Sequence, residues 1–276
     1  MMMRFLFALT MLWALPVVAQ QPPTNPDSIL PGSPCHGQTP CLLDGREYHV
    51  KEPDGWDGVS PLPVLLHFHG WARTGAVPVF HTRISGATRR RGVLLVAPTG
   101  ESRTWRFRSE RGADVAFANA VLADVAKRYP LALDRLYVSG YSYGGLMAWR
   151  YACESGDGVK AAMSISASLR LREPCDQAAE SFREVYGLRD NVLPFPYGDN
   201  QDTTYPVQFW RDHYGCGDAD APEDYTLTGQ RIFTRTTWNC GSNAVTLDIH
   251  PGGHLIPRGW IGRQLDELLG REPTYP

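Results

Sequence analysis

A doubly wound, mostly parallel α/β sheet in a single domain is the architecture that this sequence predicts, and three observations predict it. Short, unbroken apolar runs at residues 64–69 and 93–97 fit strands buried on both faces. Between such runs the apolar residues change to a three-to-four-residue spacing, the period of helices packed on a sheet. Finally, a tight Gly-rich turn at residues 140–145 joins one of the strands to a helix.

The elements follow in order. Residues 46–52 alternate and are expected as an edge strand, with Asp54-Gly55 as a turn signal. The run 64–69 is entered from Pro61 and Pro63 and stopped by Gly70, and 93–97 is closed by Pro98. From 113 to 129, Val115, Ala118, Leu122, Val125 and Tyr129 mark one face of a helix that starts at Asp114 and is stopped by Pro130. A strand over 135–139 then feeds a helix over 143–152. Strands are expected at 159–166, 182–187, 232–238 and 245–250, with a short helix at 206–214 and a closing helix at 260–269. Asp218 to Asp224 is expected as a surface loop. Strands alternating with helices imply right-handed crossovers and one sheet. The absence of a repeat or linker implies one domain over 44–276.

The N-terminus is different in kind. Met1 to Arg4 carries one positive charge, Phe5 to Val18 is apolar or small, and Val17 and Ala19 occupy the −3 and −1 positions of a signal-peptidase site. Residues 1–19 are therefore expected as a signal peptide, too short for a membrane anchor, and 20–43 as a flexible leader. The expected location is secreted or periplasmic. All six cysteines follow the cleavage point, which suits three disulfides in an oxidising compartment. Six cysteines allow 15 pairings; the nearest-neighbour set, 35–41, 153–175 and 216–240, closes short loops and is the expected one. Their spacing does not suit zinc, and neither a metal nor a cofactor is expected.

The 276 residues are 43% hydrophobic and 20% charged, ordinary values for a globular protein with a large core. A net charge of −2 without a basic block argues against nucleic acid and anionic membrane as partners. A monomer acting on a small or oligomeric substrate is expected.

The chemistry centres on Gly140-Tyr141-Ser142-Tyr143-Gly144-Gly145. A G-x-S-x-G pattern between a buried strand and a helix is the nucleophile elbow of the α/β-hydrolase fold, with Ser142 as nucleophile. Serine needs a base and an orienting acid, which this fold supplies later in the chain on loops after strands. His254, in the loop Pro251-Gly252-Gly253-His254, is the expected base. Asp190, directly after the strand 182–187, is the expected acid, with Asp199, Asp202 and Asp248 as rivals. Backbone N–H groups of Tyr143 and Trp71 are the expected oxyanion donors. The rings of Trp71, Trp105, Tyr141 and Tyr143 are candidates for an aromatic acyl pocket, Trp105 and Tyr141 being the expected substrate-binding residues. Packing into the core is the alternative for each ring.

With these motifs placed, the chain resembles secreted α/β-hydrolase esterases of the polyhydroxybutyrate depolymerase and feruloyl esterase group, from about Asp44 to Leu269. The resemblance includes His69-Gly70, Pro98 with Trp105, Asp114-Val115-Ala116-Phe117, Asp134 to Val138, the loop Gly187-Leu188-Arg189-Asp190, and Gly252-Gly253-His254. Cys153, Cys175, Cys216 and Cys240 fall where that group has paired cysteines. The resemblance implies the triad Ser142, Asp190 and His254. It implies hydrolysis of carboxylic esters through an acyl-enzyme, on feruloyl or aryl esters or short hydroxyalkanoate esters. Tyr186 stands where the group usually has histidine, and Leu255-Ile256-Pro257 where it has tryptophan-proline. Acyl transfer to a sugar or lipid acceptor and a non-catalytic, ligand-binding homologue are the alternatives.

Overall fold

Every residue from Leu62 to Phe68 is buried, which requires a strand inside a sheet covered on both faces. The computed structural model describes residues 35–108, 113–168, 175–195, 203–227 and 232–276. The expected signal peptide, residues 20–34 of the expected leader, and the rival acids Asp199 and Asp202 lie outside the described residues.

Among the described residues one sheet is built from β1 (Cys41–Leu43), β2 (Arg46–Lys51), β3 (Leu62–Phe68), β4 (Leu94–Pro98), β5 (Leu131–Tyr141), β6 (Val159–Ile165), β7 (Ser181–Gly187), β8 (Glu223–Thr226), β9 (Ile232–Cys240) and β10 (Asn243–His250). Their spatial order is β1-β2-β4-β3-β5-β6-β7-β10-β9-β8. The run from β4 to β10 is parallel, whereas β1, β2, β9 and β8 attach antiparallel at the two ends. The chain runs from β3 outward to β4 and then back across to β5. The order therefore reverses around β3 and β5, and the crevice beyond their C-terminal ends is where such sheets bind ligands.

Helices cover both faces: α1 (Ala76–Phe80), α2 (Ser85–Arg89), α3 (Ala113–Ala126), α4 (Tyr143–Ser155), α5 (Tyr205–Tyr214) and α6 (Trp260–Leu268). Because side chains alternate along a strand, Val64, Leu66 and Phe68 join one core with Val115, Leu146 and Trp210 of α3, α4 and α5. Leu65 joins the other, with Ala87 of α2 and Trp260 and Leu265 of α6. α5 shows local control of an element: Thr204 caps it by accepting the Val207 N–H at 3.4 Å, Pro206 fits its first turn, and left-handed Gly215 (φ 63°) ends it.

The cysteines pair in the nearest-neighbour pattern, Cys35–Cys41, Cys153–Cys175 and Cys216–Cys240. Three expectations need correction. The leader does not extend to residue 43, because Cys41–Leu43 pairs with β2 as a strand and is tied by the first disulfide. That added strand also moves β2 off the sheet edge. The expected loop at 218–224 runs into strand β8, where Tyr225 stacks on Phe233 at 5.1 Å.

Candidate active site

β5 ends at Tyr141 and α4 begins at Tyr143, leaving Ser142 alone at the corner with φ 54° and ψ −119°. Such angles strain a non-glycine residue and are sustained by what surrounds them. The Ser142 N–H donates to the Ile165 carbonyl at 2.9 Å. The flanking glycines are steric necessities. A Cβ at 140 would lie 1.9 Å from the Gly144 oxygen, and one at 144 would lie 1.9 Å from the Phe68 oxygen. The turn thus forces α4 against β3. Gly145 and Leu146 donate back to the Ser142 carbonyl, while the Tyr143 N–H belongs to the first turn, where a helix supplies no acceptor.

Two other strand ends converge on Ser142. After β7, Asp190 is wholly buried, and its Oδ1 accepts the N–H groups of Val192 and Leu193, both at 2.9 Å. After β10, the His250 Nδ1 accepts the Gly252 N–H at 3.0 Å and shapes the turn toward His254. The loops are laced together, Leu188 N–H donating to the His250 carbonyl and Arg189 N–H to the Gly252 carbonyl, each at 2.9 Å. This brings His254 Nδ1 to 2.6 Å from Asp190 Oδ2 and His254 Nε2 to 3.0 Å from Ser142 Oγ. A carboxylate only accepts, so the proton belongs on Nδ1, and Nε2 is left to accept from the serine hydroxyl. Asp248, a rival acid, lies within β10 instead. Both of its oxygens are held by Arg235 at 2.8 Å, and it accepts the Trp260 Nε1–H at 2.6 Å.

On the other side of Ser142 runs the loop after β3. His69 Nε2 accepts the Gly100 N–H at 3.0 Å, which puts its proton on Nδ1, donating to the Gly70 carbonyl at 2.7 Å. Burial pushes His69 down to about 4, so it stays neutral and pins the loop. In the sequence His69 stands only as the end of a strand motif; the signal for its role is a histidine directly before a glycine, and in the structure that glycine packs on Tyr141.

The aromatic pocket expected from Trp71, Trp105, Tyr141 and Tyr143 is not assembled. Trp105 is only 4% exposed, donates its Nε1–H to the His69 carbonyl at 2.7 Å, and meets Phe68 edge-on at 5.0 Å. It supports the loop from behind and is not a substrate-binding wall. The Trp71 residue is 66% exposed, and the Tyr143 ring packs edge-on against Phe107 at 5.2 Å. Tyr141 lines a cavity at the site, and its hydroxyl donates to the His254 carbonyl at 3.0 Å. That cavity has a volume of 280 Å³ and lies between the end of β3, α1 and the residues after His254, with His67, His81, Arg73 and Arg83 among its walls.

Residues 63–194 match the family described as alpha/beta hydrolase fold. Among its relatives in sequence, the chain is 27% identical over 240 residues to feruloyl esterase C of Emericella nidulans, covering 80% of this chain and 83% of that one. It is 26% identical over 240 residues to a probable feruloyl esterase C of Aspergillus niger, with the same coverage. Among solved structures, acetyl xylan esterase from Aspergillus awamori superimposes with a TM-score of 0.60 at 14% identity, over 82% of this chain and 94% of that chain. The chain has the α/β-hydrolase fold. Its relatives in sequence are feruloyl esterases, and the chain is a carboxylic ester hydrolase.

Proposed function

We propose that this carboxylic ester hydrolase works through an acyl-enzyme on Ser142, with His254 as base and Asp190 as orienting acid. The observation that carries this reading is the placement of one imidazole between a strained serine at 3.0 Å and a buried carboxylate at 2.6 Å. Ser142 Oγ attacks the ester carbonyl while His254 Nε2 takes its proton, and Asp190 stabilises the resulting imidazolium. The N–H groups of Tyr143 and Trp71 serve the oxyanion, a contribution of about 3–4 kcal/mol for each donor. Collapse expels the alcohol, which leaves with the proton from His254. Water then attacks the acyl-enzyme with His254 again as base.

The substrate class proposed is aryl esters of the feruloyl kind, because the relatives carry that name. The three disulfides suit an oxidising, extracellular setting, with residues 1–19 as the export signal. Hydrolysis of methyl ferulate by the purified protein, followed by chromatography of released ferulic acid, tests the reading. Release that disappears in Ser142→Ala supports it. Turnover of p-nitrophenyl acetate without any of methyl ferulate would retain the esterase and reject the aryl class.

A further inference from the structure

We propose that the cavity beside His254 is a cationic subsite for esters that carry a second, ionised acid group, a carboxylate at the far end of an apolar spacer. The inference rests on the esterase reading above and adds the substrate's charge to it.

The walls carry two arginines and no carboxylate. Several other arginines of low exposure are neutralised by carboxylates. Arg46 meets Asp114, Arg91 meets Asp266, Arg183 meets Glu267, and Arg235 meets both Asp248 and Glu267, all within 2.8 Å. Arg73 and Arg83 have no carboxylate within ion-pairing distance among the described residues. Arg83 is half-buried and held in place, one Nη donating to the Ile256 carbonyl at 2.5 Å. A guanidinium has five donors, so this anchor leaves the rest of the fork for a ligand. Arg73 leaves the loop after β3, and its charge reaches the Tyr141 phenol.

The remaining walls fit the same ligand. Val77, Pro78 and Ile84 give an apolar side for a spacer. His67 is tied through Nδ1 to Ser139 Oγ at 2.7 Å, leaving Nε2 as its other polar atom. His81 Nδ1 is buried with no hydrogen-bond partner among the described residues. Burial, with Arg83 beside it, lowers the pKa of His81, and burial pushes His67 down to about 3. Both rings are thus polar, neutral neighbours, and the arginines supply the positive charge. A ligand carboxylate would meet the unpaired arginines, which is the arrangement that makes charge-assisted, bidentate bonds.

Two substrate pairs test this. 4-Nitrophenyl hydrogen adipate against its methyl-capped diester places the charge on the acyl side; 4-acetoxybenzoate against methyl 4-acetoxybenzoate places it on the leaving side. In at least one pair the kcat/KM ratio of anionic to neutral ester should exceed one at low salt. It should fall about tenfold in Arg73→Gln/Arg83→Gln and decline with added sodium chloride. The pair that responds identifies the end of the ester held in the cavity. Ratios at or below one in both pairs, or ratios unmoved by the double substitution, overturn the proposal. If the wild type hydrolyses none of the four esters, the esterase reading fails instead. The subsite is then read by calorimetric titration of Ser142→Ala with adipate, with and without the arginine substitutions. Binding that needs the arginines supports it, and no binding, or binding indifferent to them, overturns it.

Discussion

The phenol of Tyr141 donates to the backbone carbonyl of His254 at 3.0 Å, so the residue before the nucleophile helps to hold the loop that carries the base. Burial raises the Tyr141 pKa, which keeps the phenol a donor at alkaline pH. Tyr141→Phe removes one hydrogen bond, about 1 kcal/mol. The expected result is about a fivefold loss in kcat with a small loss in melting temperature. Unchanged Michaelis parameters would show that the lacing of the loops alone suffices.

Asp190 accepts from His254 and from two backbone N–H groups, so replacing its carboxylate changes what the imidazole meets at Nδ1. Asp190→Asn can present an amide N–H there and favour the wrong tautomer. A loss of about 10³-fold or more in kcat is expected, by the precedent of other triads. Ester hydrolysis within tenfold of wild type would move the acid elsewhere, to Asp199 or Asp202.

Gly187 is where β7 meets the histidine loop. A Cβ there would stand 2.5 Å from the Gly252 oxygen and 2.6 Å from the Gly253 oxygen. Gly187→Ala should push the two loops apart, costing about 1–3 kcal/mol of stability and most of the activity. Parallel measurement of kcat and denaturant midpoint checks this, and wild-type values of both would contradict it.

Much of the site was legible because it depends on local chemistry. The glycines at 140 and 144 announce a turn too tight for side chains, and the apolar strands before Ser142, Asp190 and His254 announce where their loops begin. What was not legible depends on distant packing. β1 spans three residues and α1 and α2 five each, too short for any period to emerge. In β8 only Tyr225 is buried, so its charged neighbours read as loop. Trp71 and Trp105 looked alike as loop tryptophans. Only the carbonyl of His69 and the ring of Phe68, far from Trp105 in sequence, decide that Trp105 is core and Trp71 surface.

Glu184 gives a pH signature away from the site. It is wholly buried on β7, accepts the hydroxyl of Ser164 at 2.9 Å and that of the capping residue Thr204, and burial pushes its carboxyl from 4.5 up to about 8. The native state thus keeps a proton that the unfolded chain releases. Stability from this group is greatest below about pH 4.5, falls by about 1.4 kcal/mol per pH unit as pH rises toward 8, and then levels off. Glu184→Gln should remove that slope. Urea titrations at pH 5 and pH 8 should show the variant losing less stability than wild type, and parallel losses would contradict the account.

The central claim is that Ser142 is acylated, and a fluorophosphonate ester reports on that hydroxyl directly because it reacts far faster with an activated serine than with other side chains. Intact-mass spectrometry of the treated protein should show a single adduct, and peptide mapping should place it on Ser142. No adduct should form on a folded Ser142→Ala variant. An adduct on another residue, or a wild-type protein that stays unlabelled while folded, would contradict the assignment of the nucleophile.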